Sequence, residues 1–416
     1  MNRMKHLFAL PIFLSFSGMA SAQDVDTEQT GNDRFSIKAQ TFMGFYIDKS
    51  SNVKAIDPSA PTGINMGIEF PSSQQRPWQQ YLNNPTVGLG MTYLDLGADM
   101  MGKALSMYPY ILLNCIRREH FELEVKLASG LAVVNEHWYT QKDQNPDHYG
   151  EVTTNTTFGS YLNVYLSGGL NMDFPITRNF AINSEFAFVH ISNGRFSMPN
   201  VGANMFYGGV GMTATVNPEV EKKPIYFPDL PHRWKLDVNG SAGVQQPDVG
   251  DRRYLIASLH AGAVYNLNNW YAVGGGMDVF YNGAINKESI RKLFRKDIDY
   301  TFIDKMRVGV GLNDEFRFGI LTVLLDWGIY VFNPSRNYYL SDHPVYGHGK
   351  RPLIYKAERV TKDEGWHYWR FGLRCRVWDN LYVHVTAKMH LHVSEHIGFG
   401  VGYDIPFQRN VRRTAA

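Results

Sequence analysis

The sequence predicts an all-β chain, an antiparallel transmembrane β-barrel of about sixteen strands in two eight-strand halves, closed as one large barrel rather than two small ones. Three observations predict it. Charged residues make up 19% of the chain and aromatics 14%, against about 25% charged in an ordinary soluble domain. The N-terminus carries the pattern of an export signal. Apolar and polar residues alternate with period two over stretches longer than the strands of most soluble sheets. The formal net charge of +2 supplies no basic domain for nucleic acid, so no nucleic-acid partner is expected. The abundance of apolar and aromatic residues excludes disorder.

In chain order, Arg3 and Lys5 give a basic start, Leu7 to Phe16 an apolar run, and Ala20-Ser21-Ala22 a small-residue cleavage pattern. Residues 1–22 therefore read as a secretory signal peptide, cleaved on export, because the apolar run is too short to span a bilayer. Cys115 and Cys375 stand far apart in an exported chain, and their spacing leaves a disulfide open.

Alternation is clearest in three stretches. From Phe158 to Phe174 the even positions are mostly apolar (Leu162, Val164, Leu166, Leu170, Met172), whereas Asn163, Asn171 and Asp173 occupy odd ones. Phe121, Leu123, Val125, Leu127, Leu131 and Val133 alternate with Glu122, Glu124 and Lys126. Trp369, Phe371, Leu373, Cys375 and Val377 alternate with Arg370, Arg374 and Arg376. In a barrel one such face meets lipid and the other the lumen.

The connections set the topology. Short turns are predicted at Arg117 to His120, Pro175 to Asn179, Asn266 to Asn269 and Trp378 to Asn380. Long polar connections are predicted at Asp48 to Pro61, Tyr139 to Thr157, Asn282 to Thr301 and Asn333 to Gly365. With the first strand running outward, every short turn falls at the periplasmic end and every long loop outside, as in bacterial outer-membrane barrels. Pro71 to Asn84 is longer than that rule prefers. The organisation is then residues 23–216 as one barrel half, 217–233 as a Pro-rich connection, 234–408 as a second half and 409–416 as a polar tail. The Pro-rich stretch is either a linker between two small barrels or a long turn within one large barrel.

The stretch that carries chemistry is HISNGRFSMPNVGAN, His190 to Asn204. Residues i and i+2 of a strand face the same way, which puts the His190 imidazole beside the Ser192 hydroxyl. A serine hydroxyl becomes a nucleophile when a neighbouring base takes its proton. The same face carries Ile182, Phe186 and Phe188, while Asn183 and Glu185 lie on the other. The pair thus continues the lipid-facing stripe at the outward end of its strand. Polar groups there are expensive unless satisfied or used, and their natural substrate is an outer-leaflet lipid.

This segment resembles the active-site motif of the outer-membrane lipid A 3-O-deacylases, small barrel esterases grouped with acyloxyacyl-hydrolase-like proteins. The resemblance is close over about fifteen residues and extends loosely over Arg34 to Thr215. It implies a Gram-negative outer-membrane location and ester hydrolysis on the lipid A of lipopolysaccharide, with no metal or other cofactor. It further implies His190 as general base, Ser192 as nucleophile, Asn193 as loop support and Asn200 as oxyanion donor. Where the family places an acid to orient the histidine, this chain has Asn204. An amide accepts an imidazole N–H but does not stabilise imidazolium as a carboxylate does. Two other readings are an outer-membrane porin or uptake channel, suited to a wide lumen lined by both charge signs, and a catalytically inactive structural barrel.

The second half has its own pair, His392 and Ser394, read near the outer end of the penultimate strand. Its apolar face runs through Leu381, Val383, Val385, Met389, Leu391 and Val393, so His392 and Ser394 fall on the lumen side, away from any lipid ester. His384, His390, His392 and His396 along one strand and its turn do not converge on one ion and read as lumen lining. The basic stretch Asn286 to Lys296 suits lipopolysaccharide phosphates or plain solvation equally.

Overall fold

The computed structural model describes residues 34–47, 56–72, 77–140, 155–218, 233–247, 249–285, 302–333, 366–390 and 393–407. The expectations for the signal peptide, residues 219–232 of the Pro-rich connection, the basic stretch 286–296, His392 and the tail 409–416 lie outside them. Sixteen strands are present among the described residues. The first eight are β1 (Phe35–Tyr46), β2 (Thr62–Pro71), β3 (Thr86–Asp95), β4 (Lys103–Arg118), β5 (Phe121–Val134), β6 (Leu162–Pro175), β7 (Phe180–Ser192) and β8 (Ala203–Val216). The second eight are β9 (Trp234–Gln245), β10 (Tyr254–Asn266), β11 (Tyr271–Asn282), β12 (Met306–Phe318), β13 (Leu321–Phe332), β14 (His367–Trp378), β15 (Leu381–His390) and β16 (Val393–Pro406).

The expectation of one large barrel is corrected: each set of eight closes on itself. β1 pairs antiparallel with β8 from Phe35↔Val216 to Tyr46↔Met205. β9 pairs with β16 from Lys235↔Pro406 to Gly243↔Gly398. The reason lies inside. Eight strands enclose a space that side chains alone can fill, and they fill it here. In the first barrel Tyr108 stacks on Tyr165 with ring centroids 4.5 Å apart, and Lys126 Nζ donates to both Glu185 oxygens at 2.9 and 3.0 Å. In the second, Arg374 reaches Asp237 and, at 3.0 Å, Glu315. Arg370 bridges Asp278 at 2.7 Å and Asp326 at 2.8 Å. Charges of both signs, which suit a watery lumen in a wide barrel, here satisfy one another across narrow ones.

The outer faces are the apolar ones. Ile37, Met43, Leu89, Met107, Val210 and Met212 on the first barrel are exposed, as are Leu259, Leu312, Phe399 and Val401 on the second. Soluble monomers rarely expose continuous apolar surface on this scale, whereas a barrel in lipid must.

Two strand limits differ from the sequence reading. β6 begins at Leu162 rather than Phe158. Phe158 is instead fully buried in the first barrel's core cluster, before the strand starts, and its carbonyl accepts the Trp138 N–H at 2.9 Å. β15 ends at His390, and Ser394 lies in β16, the last strand, opposite Met389. Ser394 is therefore not on the penultimate strand, where the sequence reading put it.

The long connection between β2 and β3 also finds a role. It contains a short helix, α1 (Pro77–Tyr81). The Tyr81 hydroxyl accepts a hydrogen bond from Asn269 Nδ2 at 3.1 Å, in the turn between β10 and β11. Trp78 covers Gly319 in the β12–β13 turn, where an added Cβ would meet the indole at 3.0 Å. The barrels touch at this short-turn end and again at the long-loop end described below. Cys115 on β4 and Cys375 on β14 are both free thiols.

Candidate active site

β7 sets the site by its alternation. Asn183, Glu185, Ala187, Val189 and Ile191 point inward and are buried, while Phe180, Ile182 and Phe186 face out. His190 continues the outward series. Glu185, the nearest acid in sequence, is 1% exposed inside the barrel and committed to Lys126 and Tyr207.

Register does the rest. His190 lies directly across from Asn204 on β8, and directly opposed residues of an antiparallel pair bring their side chains together. His190 Nδ1 is 2.6 Å from Asn204 Oδ1. His190 Nε2 is 2.7 Å from Ser192 Oγ. An amide oxygen only accepts, so the Nδ1 proton is donated to it and the Nε2 lone pair accepts the Ser192 hydroxyl. This is the tautomer that a general base requires. Fourteen residues separate His190 from Asn204 in sequence, and the hairpin removes that distance.

The segment between the strands, residues 193–202, folds over the pair. Asn193 Nδ2 donates to Ser160 Oγ and to the Ser197 carbonyl, both at 2.9 Å. Asn200 Oδ1 accepts the Asn193 backbone N–H at 3.1 Å, so the donor of this amide is its nitrogen. The Val201 and Gly202 N–H groups donate to the Thr156 and Thr157 carbonyls at 3.2 and 3.0 Å. Gly202 has φ +77, and a Cβ there would meet Ser192 Cβ at 3.1 Å and His190 Cε1 at 3.3 Å. Only glycine takes that backbone easily and leaves both side chains in place.

Around the pair the surface is apolar. Leu166 on β6 lies opposite His190, and Val164 opposite Ser192. Phe186 stacks on Phe206 with centroids 5.3 Å apart. Tyr161, Phe196 and Val201 are exposed nearby. Among the described residues no group of three His, Cys, Asp or Glu side chains is arranged to hold a metal ion. In the second barrel His384 Nε2 lies 3.3 Å from the Gly240 carbonyl. His390 Nε2 lies 3.3 Å from Glu395, and His396 is buried.

The structure thus brings His190, Ser192 and Asn204 into one hydrogen-bonded line, with Asn193 and Asn200 in the loop above it. Residues 62–213 match the family model described as lipid A 3-O-deacylase, and residues 234–347 and 353–409 match the C-terminal domain of acyloxyacyl hydrolase. The chain belongs to the lipid A 3-O-deacylase and acyloxyacyl hydrolase family. The first match contains the whole line and its loop, and the second covers the strands of the second barrel.

No curated protein matches this deacylase-family chain. Among solved structures, the outer membrane enzyme PagL is 14% identical over 42% of this chain and 97% of its own, with a TM-score of 0.26. Neisserial surface protein A is 12% identical over 44% and 96%, also at 0.26. The Ail protein of Yersinia pestis is 12% identical over 44% and 97%, at 0.23.

Sequence reasoning missed the groups that hold the loop. The Thr156 and Thr157 carbonyls leave no side-chain signature, because any residue supplies a backbone acceptor. Ser160 was legible only as part of a strand that in fact begins later. Gly202 carried a signal, a lone glycine where loop meets strand.

Proposed function

We propose that this chain is an outer-membrane ester hydrolase that removes an acyl chain from lipid A by a Ser-His mechanism. His190 Nε2 takes the Ser192 proton as Oγ attacks the ester carbonyl carbon. The oxyanion that develops is held by the Asn200 amide, a fixed donor where charge appears. Collapse expels the sugar hydroxyl, which takes the proton from His190. Water, deprotonated by the same nitrogen, then attacks the acyl-Ser192 ester and releases the fatty acid. Asn204 holds the imidazole in its working tautomer, and Asn193 braces the loop that carries Asn200.

The observation that carries this reading is the hydrogen-bonded sequence Ser192, His190, Asn204 on the outward, apolar face of the first barrel. A site there meets lipid, and the lipid A deacylase family match supplies the substrate class. The packed interiors of both barrels weigh against a channel. By the same reading the N-terminal 22 residues are a signal peptide and the chain is exported to the outer membrane of a Gram-negative bacterium. The test is fatty acid release from lipid A by the purified full-length chain. Ser192→Ala and His190→Gln are each expected to lower the rate at least a thousandfold, in keeping with loss of a nucleophile or its base. Release at the wild-type rate by Ser192→Ala would sink the proposal.

A further inference from the structure

The loop that closes over Ser192 is gripped from outside by the second barrel. Gln246 follows β9 and is buried at the long-loop end. Its backbone N–H donates to the Arg195 carbonyl at 2.9 Å. Its Oε1 accepts the Met198 N–H at 2.7 Å, and its Nε2 donates to the Asp251 carbonyl at 2.7 Å within its own loop. Arg253 Nε donates to the Phe196 carbonyl at 2.8 Å, with its guanidinium 4.4 Å from the Phe196 ring centroid. Gly194, at φ +60, passes so close to Ile397 of β16 that a Cβ would lie 2.6 Å from that side chain.

These contacts fall between Asn193 and Asn200. The first barrel holds the two ends of the loop, through Asn193 on Ser160 and through Val201 and Gly202 on residues 156 and 157. In the middle, the Arg195 and Phe196 carbonyls and the Met198 N–H are satisfied by the second barrel instead, while the Ser197 carbonyl stays with Asn193. A lone eight-strand barrel with this loop would leave Met198 N–H and the Arg195 and Phe196 carbonyls to water, and the segment that leads to Asn200 would lose these three anchors. Displacement of a catalytic donor by about 1 Å costs up to a hundredfold in rate.

We infer that the second barrel completes the catalytic site, with Gln246 as a positioning residue that fixes the oxyanion loop through the Met198 N–H. The inference rests on the Ser-His reading above. It gives the second barrel a task in the first barrel's chemistry without placing any of its side chains against the substrate.

Two variants of the full chain separate the contacts of Gln246. Gln246→Ala loses both side-chain hydrogen bonds. Gln246→Glu keeps the acceptor for Met198 N–H and loses the donor to Asp251. Deacylation of lipid A in mixed micelles is expected to show kcat lowered roughly ten- to hundredfold in Gln246→Ala with KM within about twofold of wild type. Gln246→Glu is expected to recover most of that loss, and both variants should keep the heat-dependent gel shift of a folded barrel. A Gln246→Ala enzyme with wild-type kcat, or equal losses in the two variants, would overturn the inference. Undiminished activity in Ser192→Ala would instead overturn the reading beneath it, so the two failures are distinct.

Discussion

At Asn204 a single atom decides what the site can do. In serine proteases, exchanging the orienting Asp for Asn costs about 10⁴ in turnover, largely because the wrong tautomer results. Here the amide oxygen, not the nitrogen, meets His190 Nδ1 at 2.6 Å, so the tautomer is correct and the missing quantity is charge. In the proposed mechanism the imidazolium that forms during attack lacks a carboxylate to stabilise it. Asn204→Asp is therefore expected to raise kcat about tenfold or more, since hydrogen bonds between ions are roughly twice as strong as neutral ones. Asn204→Leu, with no acceptor, should lower it. Steady-state kinetics on lipid A would check both, and a slower Asn204→Asp enzyme would mean that the amide is doing something else. The identity of these residues was legible in the sequence, since parity put His190 and Ser192 on one face and the motif supplied Asn204. Their contact was legible only through the β7–β8 register, which depends on how the loop folds.

At the scale of the strand, β7 serves two environments at once. Its outward residues build the site, and its inward Glu185 closes a buried network in which Lys126 donates at 2.9 Å and Lys38 stands 4.0 Å away. Removing one member of a buried ion pair leaves the partner charge unmatched, at a cost of about 3–5 kcal/mol. Glu185→Gln should thus lower unfolding stability by about that amount in a urea titration, while folded molecules keep wild-type kcat/KM. A variant of unchanged stability would show that the lysines find other counter-charges. Period-two alternation made the strands themselves easy to read. It failed at Phe158, which lies before the start of β6 and is fully buried, and at Ser394, which the apolar alternation assigned to the penultimate strand and which lies in β16.

At the scale of the molecule, closure was the feature that sequence could not reveal. Whether Phe35 pairs with Val216 or with the last strand is a contact across nearly two hundred residues, and no local pattern encodes it. The consequence is large: two side-chain-filled barrels replace one wide lumen. Purified protein in planar bilayers is accordingly expected to show no sustained porin-sized conductance, and a stable open channel would contradict the packing described. Two joined barrels also make sense of the long β2–β3 connection, whose α1 meets the second barrel at Asn269, and of the Gln246 contact at the other end.

Under the proposed function Ser192, facing lipid rather than lumen, cuts an ester of lipid A. Mass spectrometry of lipid A from Gram-negative cells expressing either wild type or Ser192→Ala at equal levels tests it most directly. Wild type should yield a lipid A species lighter by one acyl chain, and Ser192→Ala should leave the parent species intact. The same acylation pattern in both strains would contradict the proposed role of Ser192.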